Sequence, residues 1–214
     1  LALDGDKRAC RVRSSNAGHA LWTGIAGTDQ AAAVAGTLLS RSGFSGWGIR
    51  TIAAGESRYN PMSYHNGSVW PHDNALISAG LAGYGFKGAA ARILDGLFAA
   101  STYIDLRRLP ELFCGFSRNT SQGPTFYPVA CIPQAWAAAA PLYALQSCLG
   151  LRFAVDTASI AFDRPILPDF LDVVRLRRLR INDAMADIAI HRSGQGVIVE
   201  VERRDGAVSV VTRA

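Results

Sequence analysis

The sequence predicts a mainly α fold with a small antiparallel β-sheet at its C-terminal end. Three observations lead there. Ala- and Gly-rich stretches of helical period fill the chain up to about residue 150, and β-branched runs with turn residues follow. All 4 Trp and all 6 Tyr lie before that change. The 214 residues therefore read as two regions, 1–150 and 151–214, with no internal repeat.

Four helices follow from local pattern. The first runs from an N-cap at Thr28 or Asp29 to about Leu39. The second begins near Ser68, where Pro71 fits a first turn that needs no N–H, and its apolar stripe is Leu76, Ile77, Leu81 and Tyr84. The third spans Lys87 to Ala100, with Ala90, Ile93, Leu94, Leu97 and Phe98 on one face. Gly85 separates these two closely enough to imply an antiparallel helical hairpin. The fourth runs from Pro133 towards Leu149; it is apolar all round, which predicts deep burial, and Pro141 interrupts it. In the tail, Val197, Val199 and Val201 alternate with Ile198, Glu200 and Glu202. Asp205-Gly206 predicts a hairpin turn onto Val208–Val211. Ala186, Ile188 and Ile190 share a face, and Arg177-Arg178 breaks the alternation of Val174 and Leu176 as a bulge does.

Composition removes several function classes. A chain 49% hydrophobic and 18% charged is globular rather than disordered. No apolar run approaches the roughly 18 residues of a membrane helix, so no membrane partner is expected. Four Cys without metal or redox spacing, and a start without a basic leader, imply a reduced, cytoplasmic protein. Lys+Arg 22 against Asp+Glu 17 gives +5, concentrated at Arg175, Arg177, Arg178 and Arg180. No aromatic follows Phe170 to stack on a base, so this cluster reads as the wet face of a strand and nucleic acid ranks last among partners.

Chemistry concentrates in the long segments 40–67 and 101–132; residues 44–136 hold 14 of the 19 aromatics. Short helices with aromatic, Gly-rich loops at a mouth suit a sugar. Arg58–Asn74 carries Tyr64, His65, Asn66, Trp70, His72 and Asp73, rings to stack on a pyranose and polar groups for its hydroxyls. The alternative is a loop folded on its own Asn and Ser bonds. In Arg107–Phe116, Glu111 sits amid apolar neighbours, either as a general base or as the partner of Arg107 or Arg108. In Phe126–Trp136, Gln134 and Trp136 open the last helix, Trp136 serving as core or as a subsite wall. His65, His72 and Asp73 fit no metal spacing, and no cofactor is expected.

Tyr64-His65-Asn66-Gly67-Ser68-Val69-Trp70-Pro71-His72-Asp73-Asn74, then Leu109-Pro110-Glu111-Leu112-Phe113, then Tyr127-Pro128 through Gln134-Ala135-Trp136 resemble the amylo-alpha-1,6-glucosidase (glycogen-debranching-type) glycosidases, in that order and over about residues 14–150. These belong to the six-hairpin glycosidases, so the resemblance implies part of an (α/α)6 toroid of helical hairpins. It implies inverting hydrolysis of α-1,6-glucosidic bonds in an α-glucan or oligosaccharide, with Glu111 as general base. Tyr64, His65, Asn66, Trp70, His72 and Asp73 would then line the glucosyl subsite, and His19, in Ser15–Trp22, would approach it.

One departure qualifies that expectation. The family's general acid is an Asp two positions after a Trp, and no Trp-x-Asp occurs here. Inversion needs two carboxylates about 6.5–9.5 Å apart. The chain is therefore expected to be the C-terminal portion of a longer hydrolase, inactive alone. The acid would come from the missing N-terminal half or a neighbouring molecule. The rival reading is a carbohydrate-binding or scaffold module without chemistry.

Overall fold

The computed structural model describes residues 2–119, 121–194 and 196–213. In chain order it contains β1 (Ala2–Leu3), β2 (Ala9–Cys10), α1 (Asn16–Trp22), α2 (Thr28–Leu38), α3 (Pro71–Gly83), α4 (Lys87–Ser101) and α5 (Ala135–Leu149). There follow β3 (Leu151–Ala154), β4 (Ser159–Asp163), β5 (Val173–Ile181), β6 (Ala184–Ser193), β7 (Gly196–Asp205) and β8 (Ser209–Arg213). The chain divides into two compact units between Ala144 and Leu145, within α5.

In the first unit, Pro71 opens α3 as its missing N–H allows. Gly85, at φ +88°, reverses the chain into α4. The two helices bury Ile77, Leu81, Ile93 and Leu97 against Leu21, Leu38, Trp47, Ile49 and Phe113. Each such side chain contributes about 1.5–3 kcal/mol. Gly27, not Thr28 or Asp29, stands at the N-cap of α2, its N–H donating to Gln30 Oε1 at 2.8 Å. Helix α5 corrects the expectation of burial on every side. It buries the stripe Ala137, Ala140, Ala144 and Cys148 but exposes Trp136 and Leu142, because an Ala-rich helix is apolar in composition without having side chains that demand cover.

In the second unit, two sheets share a core. One has the order β3-β4-β8, the other β5-β6-β7. Their inner residues include Ile160, Phe162, Val174, Ile181, Ile188, Ile190 and Val208. The expected bulge is present, with the register shifting between Leu176 and Leu179 opposite β6. Arg178 takes φ +56° and its N–H donates to Asp187 Oδ1 at 2.6 Å. The expected hairpin onto β8 is not. Gly206 does turn the chain, but β8 runs parallel to β4, pairing Ser159 with Ser209 through Asp163 with Arg213. That placement brings Val208 and Val210 to Ile160 and Phe162.

These findings overturn the predicted fold class. The described residues hold five helices, a two-stranded ribbon and two three-stranded sheets, so the chain is neither a toroid segment nor mainly α with one small antiparallel sheet. A local hairpin signal such as α3/α4 carries no information about how many hairpins close around an axis. The strands take a larger share than expected because β5, β6 and β7 each run for nine or ten residues. No helix among the described residues is long and apolar enough to cross a membrane.

Candidate active site

The site is assembled by four irregular segments that pair one residue at a time. Single bridges join Arg50 to Val69, Val69 to Phe113 and Phe113 to Phe126. Val69 and Phe113 exchange both backbone bonds, at 2.9 and 3.0 Å. Their side chains enter the core, while Trp70 and Glu111 line a hollow beside them.

Where the segments cross, Gly115 lies so close to Gly67 that a Cβ on it would overlap the Gly67 carbonyl oxygen. Gly67 takes φ +142°, a region that favours glycine. Arg50, 2% exposed, fastens the crossing. Its Nε donates to Gly115 O at 2.7 Å, Nη1 to Arg41 O and Ser42 O, and Nη2 to Ser117 Oγ at 2.9 Å. Nothing in the local sequence marks this arginine, since its partners lie up to 67 residues away.

The hollow has a volume of about 420 Å³, within the range of small-molecule sites. Glu111, 9% exposed, lines it. The Tyr64 hydroxyl donates to Glu111 Oε1 at 2.6 Å and the Cys131 N–H to Oε2 at 3.3 Å. The Tyr64 bond, more than any other influence, holds the Glu111 carboxyl below the usual carboxylate range. The same bond pushes the Tyr64 phenol up to about 12. Glu111 is therefore an ionised acceptor at neutral pH, the state a general base needs, and its partners are not Arg107 or Arg108.

Rings form the walls. Tyr64 meets His65, Trp70 and Tyr127 edge-on at 4.7, 4.9 and 5.5 Å between centroids. His65 is parallel to Trp70, and His72 stacks on Trp136 at 3.9 Å. The Trp70 indole N–H donates to Ser68 Oγ at 3.0 Å. On the first turn of α3, Asp73 is 8% exposed, and its Oδ1 is 2.6 Å from His19 Nε2. That bond raises the His19 imidazole above its ordinary value. Burial lowers His72. His72 Nδ1 and Asp73 Oδ2 are buried without a hydrogen-bond partner.

The hollow thus gathers Tyr64, His65, Trp70, His72, Asp73, Glu111 and Trp136. Asn66 and Gln134 are not in its lining. Asn66 serves its own loop, its N–H donating to Ser63 Oγ at 3.2 Å. Gln134 Oε1 accepts from Ala137 N at 3.1 Å and so caps α5. Sequence reasoning missed Ser15, Asn16 and Thr51, which also line the hollow. Only the contact of α1 with α3 brings Ser15 and Asn16 there. Among the described residues, no three His, Cys, Asp or Glu side chains are grouped to hold a metal ion.

Residues 2–116, just over half the chain, match the family model described as the mannosylglycerate hydrolase MGH1-like glycoside hydrolase domain. Among solved structures, the chain is similar to a GH63 mannosylglycerate hydrolase from Thermus thermophilus in complex with Tris, with 21% identity over 64% of this chain and 31% of that one, TM-score 0.50. The GH63 mannosylglycerate hydrolase from the same source in complex with glucose gives 21% identity, 64% and 32% coverage and TM-score 0.49. An uncharacterized conserved protein from that organism gives 22%, 62%, 31% and 0.48. The chain spans about a third of the length of these structures. No curated protein matches it. The glycosidase part of the sequence resemblance holds; the matching family is not the glycogen-debranching one.

Proposed function

From a chain that belongs to the mannosylglycerate hydrolase MGH1-like glycoside hydrolase family, we propose that the hollow is the general-base wall of an inverting glycosidase. One observation carries this reading: Glu111, kept ionised by Tyr64, faces a ring-walled cavity of sugar size. Glu111 takes a proton from water as its oxygen attacks the anomeric carbon, and the glycosidic C–O bond breaks. The leaving oxygen is protonated by a general acid, which we assign to a segment outside this sequence or to a neighbouring molecule. Trp70, Tyr64, His65 and Trp136 present faces and edges to the pyranose, while His72 and Asp73 meet its hydroxyls. The family description favours a small α-glycoside such as mannosylglycerate as substrate. The α-1,6 bond of an α-glucan is the second substrate reading, supported by the likeness of the Leu109–Phe113 and Tyr64–Asn74 segments.

The test is Glu111→Gln in the full-length protein, assayed on mannosylglycerate and on an α-1,6-linked glucosyl oligosaccharide. Turnover of whichever is cleaved is expected to fall by about 10²–10⁴-fold, with sugar affinity kept. A near-normal rate removes Glu111 from the mechanism. Sugar binding without turnover of either glycoside by the unaltered protein leaves only a binding module.

A further inference from the structure

A groove of about 580 Å³, larger than the hollow, runs between α4 and α5 within the first unit. Leu94, Leu97, Phe98 and Ser101 stand at i, i+3, i+4 and i+7 on α4, so one wall follows that helix for about two turns. Leu109 and Pro141 extend the apolar lining, and Arg107 is its one charged member among the described residues. The hydroxyls of Ser101 and Thr102 donate to carbonyls of their own helix, at 2.7 Å each. That leaves the groove without the convergent polar groups that orient a small ligand. Two apolar side chains stand out beside it. Leu106, next to Arg107, is 78% exposed, and Leu142, next to Pro141, is 71% exposed. The 15 residues of α5 include no charge, and Ala135, Ala138 and Ala139 are exposed on it beside Leu142. Alanines need no cover themselves, but they let another backbone come close. An apolar trough two turns long with a shoulder of small residues has the form that takes the apolar face of a helix.

The neighbouring site indicates which helix. α5 carries Trp136 on the hollow and Leu142 beside the groove, about 9 Å apart along the axis. A segment laid along α5 therefore reaches the mouth of a site that lacks a general acid. A second copy would bring the same base wall again. The match covers only 31% of the Tris-bound hydrolase, so an enzyme of that length has ample chain both to fill the groove and to supply the acid. We infer that the groove between α4 and α5 seats an amphipathic helix from the part of the hydrolase polypeptide outside this sequence, its apolar face on Leu97 and Leu142 and a carboxylate beside Arg107. This rests on the glycosidase reading and deepens it, by choosing the same polypeptide over a neighbouring molecule as the source of the acid wall.

The experiment uses the full-length protein carrying Thr102→Cys or Leu142→Cys, in variants whose urea unfolding stays cooperative. Alkylation by iodoacetamide is followed by mass spectrometry of the peptide that holds each site. Both sites are expected to react at least about 100-fold more slowly in the native protein than in urea, and equally slowly at about 1 μM and about 100 μM protein. Arg107→Glu should raise the native rate at position 142 by about threefold. Leu142→benzoylphenylalanine, on illumination, should crosslink to a segment of the same polypeptide beyond these 214 residues. Native alkylation within about tenfold of the urea rate at either site means an open groove and overturns the inference. Protection lost on dilution, or a crosslink to residues 1–214 of another molecule, overturns it in favour of a second copy. An unchanged rate in Arg107→Glu removes the carboxylate. None of these results bears on the glycosidase reading, which Glu111→Gln decides.

Discussion

The hollow and the paired sheets are held together by opposite means. In the sheets, β5, β6 and β7 satisfy their backbones in continuous ladders, and alternation sends Ala186, Ile188 and Ile190 into an apolar core. Around the hollow, no pairing among the described residues lasts beyond one residue, and side chains replace the ladder. Arg50 collects four acceptors, and Asn74 bonds the backbone of Ile49 and Trp70. A ladder tolerates exchange of any one side chain better than a clasp of single contacts does. The clasp in return allows rings, an imidazole and two carboxylates to converge where a regular strand would send every second one away.

The sharpest way to break this contrast is Gly115→Ala. The new methyl would overlap the Gly67 carbonyl, and backbone cannot step aside cheaply. A loss of about 4 kcal/mol or more is expected in urea unfolding; a loss under about 1 kcal/mol would show that the crossing is loose. Next comes Ile188→Ala in the central strand β6, a residue fully buried. It should cost about 2–5 kcal/mol by the same measurement, as a cavity in an ordinary core does.

The smallest effect sharpens the comparison through pH. Glu111 is depressed below its unperturbed 4.5 in the folded chain. Such a group adds stability that is present above the unfolded value and lost as pH falls through the folded one. Tyr64→Phe removes the donor mainly responsible. The variant should therefore melt below the unaltered chain at neutral pH, and the gap should narrow progressively as the pH falls below the ordinary carboxylate range. A gap independent of pH would mean that Tyr64 acts by packing alone.

What could be read from the sequence follows the range of the interactions. The third helix, Pro71 at the start of α3, Gly85 between the helices and the Arg177-Arg178 bulge are short-range matters, and the structure has them. Glu111 and the Tyr64–Asp73 run declare themselves because unusual residue types stand close together. Local pattern offers no view of Arg50 reaching Ser117, of His19 meeting Asp73 across 54 positions, or of β8 leaving its turn to join β4. Each is a choice of partner among many, decided by packing. The toroid expectation failed for a related reason, since one hairpin was extended by likeness to a whole architecture.

Cys131 donates its N–H to Glu111 while its own side chain is exposed. Cys114 and Cys148 are buried and Cys10 is half-buried. A maleimide dye or nitroxide attached at Cys131, with Cys10 changed to Ser, would therefore report from within a few bonds of the carboxylate. Arrival of a sugar could then be followed as a change in emission or line shape, without any turnover.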